Sequence, residues 1–276
     1  MVIKNEKLKI TDSKGNSYYG GNQDWYSSNT RAMGGCGSVA GANSLRSLAL
    51  TDKACHDAIK NSSALPREIK SSLILKNCSR DDFLMLMTGV YGTMRAFEIF
   101  PFNVIYNRSK RGLKVFKYLK PNNGRSSIGF IRGVVRYASK IGLNLEYRAL
   151  PTAFCDKEKA LLFIKEGLKA SGSVTILTSY NKHTITALDS SQKMTMRCHF
   201  ATITDCSEDT IIISTWGRAV SMDIDEWVKS LCSIRAWEST LFYFVPTTKQ
   251  AMRKSLHTAW IPFVRGIFQA LTRKAQ

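Results

Sequence analysis

The segment GGCGSVAGANSL (residues 34–45) carries the residue pattern with the most chemical content in this chain. Cys36 is enclosed by glycines and opens an apolar run with helical spacing, which places its sulfur at the first turn of a helix. There the free backbone N–H groups and the positive end of the helix dipole favour thiolate over thiol, and the glycines leave a substrate room to approach. The same pattern also suits an inert core thiol, because free cysteines are often buried. A phosphate-cradling loop fits less well, since no Lys-Ser/Thr pair follows the glycines.

A nucleophilic thiolate needs a base that takes the proton and returns it. Of the four histidines, His199 is the best placed, because it opens the alternating apolar segment RCHFATITD and so sits at an anchored strand start. His183 lies in the polar segment NKHTI, His56 in a charged turn and His257 in the C-terminal tail. Cys198, His199 and Cys206 cluster in sequence, but no C-x-x-C or H-x-x-x-H pair of the kind zinc sites use is present. Adjacent residues on a strand also face opposite sides, which separates Cys198 from His199. Neither a metal nor any other cofactor is expected.

The elements that must position these residues can be read from periodicity. Residues 1–33 are rich in turn chemistry (SKGN, YYGGN, SSN), and 1–21 are expected to be an irregular lead-in. A buried helix follows from Gly37, another over residues 81–97 with Ser79 as its cap, and a third ending at Gly142. Strands are expected over 143–150, 173–180, 198–205, 210–217 and 240–246, with helices over 156–171 and 225–231. Short turns between the later strands imply antiparallel pairing, and helices first with a sheet second is an α+β pattern.

Composition narrows the class. The 276 residues are 44% hydrophobic and 22% charged, enough apolar material for a substantial core and too much for a disordered chain. No apolar run approaches the ~18 residues of a membrane span, and the N-terminus has no apolar core of a secretory signal. Seven cysteines without a paired framework point to free thiols in a reducing cytoplasm. The net charge of +19 favours an acidic partner; eleven Lys/Arg against one acidic residue fall in 101–148. The tail, 247–276, has six Lys/Arg and no acid, and Trp260, Phe263, Ile267 and Leu271 make it a basic amphipathic helix. Such a helix can pack on the domain, or touch a membrane surface or nucleic acid. The basic residues are scattered and no DNA- or RNA-reading motif appears, so nucleic acid is not the expected partner.

Three features in this order, Cys36 in a G-C-G context at a helix start, His199 at a strand start as His-Phe-Ala-Thr-Ile, and a strand ending Ser-Thr-Trp-Gly, resemble the papain-like cysteine peptidases. The short bacterial branch of bacteriocin-leader-processing (double-glycine) peptidases and their relatives is the most similar. The resemblance spans about 21–245 and is specific around 22–45 and 196–217. It implies an α+β papain-like fold over residues 22–246, with a helical half bearing Cys36 packed on an antiparallel sheet half bearing His199. It implies a peptide or protein substrate whose peptide or isopeptide amide is hydrolysed through a covalent acyl-enzyme. By the same resemblance, Gln23 donates to the oxyanion together with the Cys36 backbone N–H, and Trp216 shields the histidine.

The family's asparagine position, the third member, is occupied by Ser214. On a strand, 214 and 216 share a face, so Ser214 rather than Thr215 is expected beside His199. Asp223 is a further candidate if the chain folds back after Gly217, whereas Asp205, six residues along the same strand, lies roughly 20 Å from His199. The departure at 214 leaves open a second reading, a non-catalytic relative that binds a peptide or an anionic partner.

Overall fold

A computed structural model describes residues 6–94, 127–153, 155–178, 181–232, 239–259, 261 and 264–265. The alternating apolar segments of the second half pair into one sheet. It contains β4 (Leu145–Pro151), β5 (Val174–Leu177), β6 (His183–Ala187), β7 (Lys193–Met196), β8 (Phe200–Cys206), β9 (Thr210–Thr215), β10 (Arg218–Asp223) and β11 (Thr240–Pro246). The strand order is β4-β11-β5-β8-β9-β10-β6-β7, and every neighbouring pair is antiparallel. Sequence periodicity locates five of these strands; β6, β7 and β10 fall outside the expected ones.

Successive residues of the central strands feed two separate cores. Leu177, Phe200 and Phe242 join the helical core, whereas Ile176, Ala201 and Leu241 join the other. On the first face lie α2 (Cys36–Thr51), α5 (Arg80–Thr93) and α6 (Ser127–Lys140), where Phe130 stacks on Phe200 at 4.7 Å between ring centroids. On the second face α7 (Lys157–Ser171) and α8 (Ile224–Leu231) bury Ile164 and Trp227. The protein is thus α+β, with an antiparallel sheet between helices.

The helix starts follow their caps. Ser79 Oγ accepts from the Asp82 N–H at 3.1 Å, and Asp156 Oδ1 from the Lys159 N–H at 2.7 Å. Three shorter helices absent from the sequence reading, α1 (Asn29–Gly34), α3 (Lys53–Asn61) and α4 (Arg67–Ile74), pack around α2. Arg46, fully buried on α2, donates to the carbonyls of Lys7, Ser72, Leu75 and Lys76, so its charge sits against the C-terminal end of α4.

The lead-in is not irregular. Leu8, Ile10 and Tyr19 are buried, and β1 (Lys9–Thr11) pairs antiparallel with β2 (Ser17–Tyr19) and parallel with β3 (Cys78–Ser79). Its turn residues mark one hairpin, in which Asp12 caps the loop by accepting from the Lys14 and Asn16 N–H groups. The tail begins as α9 (Lys249–Thr258), which is packed against the domain: Met252 and Ser255 are buried, and the Tyr147 hydroxyl donates to the Thr258 carbonyl at 2.8 Å. Trp260, Phe263, Ile267 and Leu271 lie outside the described residues, as do 95–97 of the second expected helix and the part of the basic stretch at 101–126. No helix among the described residues is long and apolar enough to cross a membrane.

Candidate active site

Cys36 opens α2 directly after Gly35, whose position admits no side chain because a Cβ there would collide with the Arg31 carbonyl and the Tyr26 ring. The helix start is braced by Ser38, whose hydroxyl donates to the Gly35 carbonyl at 2.8 Å and meets the Tyr26 hydroxyl at 2.8 Å. His199 is held by its backbone before β8 begins. Its N–H donates to Thr178 Oγ1 at 3.1 Å, and its carbonyl accepts from the Thr178 N–H and hydroxyl. The preceding Cys198 has φ +47, a left-handed conformation uncommon for a side chain of this kind and of the sort that collects at functional sites.

Cys36, His199, Gln23, Thr215 and Trp216 line one narrow cleft together with Val39, Ala40, Phe200, Ala201 and Ser214. The space inside admits little more than a water molecule. His199 is 8% exposed, and burial pushes its imidazole pKa down to about 4. The Trp216 indole lies against the imidazole, 4.7 Å between ring centroids at 32°. Gln23 begins a single 3₁₀ turn (Gln23–Trp25) capped by Asn22, whose side chain accepts from the Asp24 N–H.

The third position differs from the sequence expectation. His199 Nε2 lies 2.8 Å from Thr215 Oγ1, not beside Ser214. Ser214 Oγ instead donates to the Tyr19 carbonyl at 2.7 Å and accepts from Asn43 Nδ2 at 3.2 Å. Two physical causes act together. Trp216 (φ +50) and Gly217 (φ +74) form the two-residue turn between β9 and β10, so Trp216 is off the strand and its side chain says nothing about which strand residues share its face. The pairing of β8 with β9 also shifts at Thr204: Asp205 opposes Ile212, but beyond the bulge Thr202 opposes Ser214. That extra residue exchanges the faces. It sets Thr215 diagonally across from His199 and turns Ser214 toward α2.

The other candidates are committed elsewhere. Asp223 caps α8 by accepting from the Glu226 N–H at 2.8 Å, and it pairs with Thr210 at the far end of β9. His183 is buried at the start of β6 with Nδ1 3.3 Å from Ser230 Oγ. Cys198 and Cys232 are exposed, whereas burial pushes the Cys55 thiol up to about 12 and Cys78 to about 11. Among the described residues, no group of three or more His, Cys, Asp or Glu side chains is placed to hold a metal ion. Against models of known protein families the chain matches none, and no curated protein matches it significantly.

Proposed function

We propose that the protein is a papain-like thiol-dependent acyl transferase whose reaction is hydrolysis of a peptide or isopeptide amide. The observation that carries this reading is the convergence of Cys36, His199 and Gln23, from three separate chain segments, on one cleft in which Thr215 holds the imidazole. With Nε2–H donating to Thr215, Nδ1 keeps the lone pair that takes the Cys36 proton. The sulfur then attacks the substrate carbonyl, and the new oxyanion is met by the Gln23 carboxamide and the Cys36 backbone N–H. Collapse expels the amine, which takes its proton from His199; a water, deprotonated by the same imidazole, releases the acid and frees the thiol.

Burial favours the neutral imidazole over imidazolium in the resting site. Thr215 offers the imidazolium less than a carboxylate would, so turnover is slow for this chemistry. The charge of +19 draws acidic peptides to the surface without entering the reaction.

A library of fluorogenic peptide thioesters and amides tests the reading, with mass spectrometry of the trapped acyl-enzyme. Wild type should carry the acyl group on Cys36, and Cys36→Ala and His199→Ala should lose turnover. Turnover retained by folded His199→Ala, or acylation elsewhere with Cys36 unmodified, overturns it. Peptide binding without acylation would instead assign the non-catalytic role.

A further inference from the structure

We propose that Asn43 is the positioning residue of this site: its carboxamide holds the Gln23-bearing loop in fixed register with the Cys36 helix and the strands of His199 and Thr215. The proposal rests on the acyl-transfer reading, since it assigns Asn43 the oxyanion arm of that site.

Asn43 follows Cys36 by seven residues on α2, which is two helical turns and nearly the same face, roughly 10 Å further along the axis. It is fully buried, among Ala40, Ala42 and Leu45, on a helix that also buries Ser44 and Arg46. Its Nδ2 donates to Thr202 Oγ1 at 3.3 Å and to Ser214 Oγ at 3.2 Å, and its Oδ1 accepts the Gly21 N–H at 3.1 Å. A backbone N–H can only donate, which fixes the orientation of the carboxamide. Ser214 passes the chain on to the Tyr19 carbonyl, so the network clasps the main chain at residues 19 and 21.

Every anchor lies beside a member of the site. Gly21 precedes Gln23 by two residues, Thr202 follows His199 by three, and Ser214 adjoins Thr215. The loop is shaped to the network as well: Gly20 has φ +82, and a Cβ there would collide with Ser214 Oγ and Asn43 Nδ2. Helix packing alone would be served by an apolar side chain. A carboxamide with both its N–H groups and its oxygen engaged is what registers three segments against one another.

The prediction follows from what each site member needs. Gln23 depends on the loop, whereas the Cys36 thiol stays on its own helix, and His199 keeps its Thr178 and Thr215 anchors. Asn43→Ala should therefore lower kcat by about 10- to 100-fold with KM within about twofold, a misplacement effect. It should leave the rate of Cys36 alkylation by iodoacetamide, which needs no oxyanion donor, within about twofold. In a double-mutant cycle the loss should vanish in a Gln23→Ala background. Ser214→Ala, which cuts one link and keeps the carboxamide, should show the same non-additivity at smaller amplitude, and it stands in if Asn43→Ala does not fold. Native-state hydrogen exchange provides a readout independent of turnover: the Gly21 amide should lose protection while β8 and α2 keep theirs. Additive losses in the cycle, or unchanged Gly21 protection, overturn the proposal and leave acyl transfer standing. A wild type inert toward every thioester and amide overturns acyl transfer and the oxyanion role together, and exchange then reports only whether Asn43 fixes the loop.

Discussion

On the acyl-transfer reading, replacing Thr215 with valine isolates the contact that orients the base. Valine keeps the β-branched shape and removes the hydroxyl, so His199 Nε2 loses its 2.8 Å partner while the packing against Trp216 remains. In a site this buried an unpaired imidazole N–H costs about 1–3 kcal/mol. The ring can avoid that cost by moving its proton to Nδ1, the nitrogen that must be free to take the Cys36 proton. Either route withholds about 1–3 kcal/mol from the transition state, so kcat should fall about 5- to 150-fold at 1.36 kcal/mol per decade. Thr215→Ser, which restores the hydroxyl, should recover most of the rate. The assay is thioester and amide hydrolysis by the three proteins, with ¹⁵N spectra of the His199 ring to read its tautomer. A valine variant that is folded, retains the Nε2–H tautomer and turns over at the wild-type rate would refute the role given to Thr215.

Three further outcomes follow from the same geometry. Ser214→Asn forces a larger side chain into the space beside Gly20 and Tyr19 and should cost about 2 kcal/mol of stability, read as a lower Tm, with no gain in turnover. Burial pushes both His183 and His199 down to about 4 from 6.5, so the unfolded chain binds protons that the folded one refuses; stability should fall as pH drops from 6.5 toward 4, by up to about 3 kcal/mol for each histidine, in urea melts across that range. Truncation after Pro246 removes α9 with its buried Met252 and the Thr258 carbonyl that receives Tyr147; it should lower the midpoint of denaturation by the equivalent of about 2–4 kcal/mol, and an unchanged midpoint would show that the tail contributes nothing to the fold.

The parts of this architecture visible in the sequence are those written in local chemistry. The apolar spacing after Cys36, the Asp156 and Ser79 caps and the continuous apolar run of TLFYFVP each specify an element within a few residues, and the α2, α7 and β11 segments form where those signals stand. Glycine-framed Cys36 and strand-initial His199 belong to the same category, because each needs only its immediate neighbours to be recognised. The third position does not. Whether residue 214 or 215 meets the imidazole is a question of parity across a strand pair, and parity is a sum over every residue between the two contacts. A regular hairpin continued from Cys206 opposite Ile211 would carry Ser214 onto the His199 face; the bulge at Thr204 reverses the answer for every residue beyond it. The bulged residue is itself held from outside the hairpin, since Thr204 Oγ1 accepts the Tyr19 hydroxyl at 2.9 Å and reaches the Ile212 carbonyl at 3.3 Å. Tyr19 belongs to the lead-in, 185 residues away in sequence, and its carbonyl also receives Ser214. The register that selects Thr215 is therefore coupled to the strand that delivers Gln23, so the identity of the third residue is a tertiary property with no local signature to read.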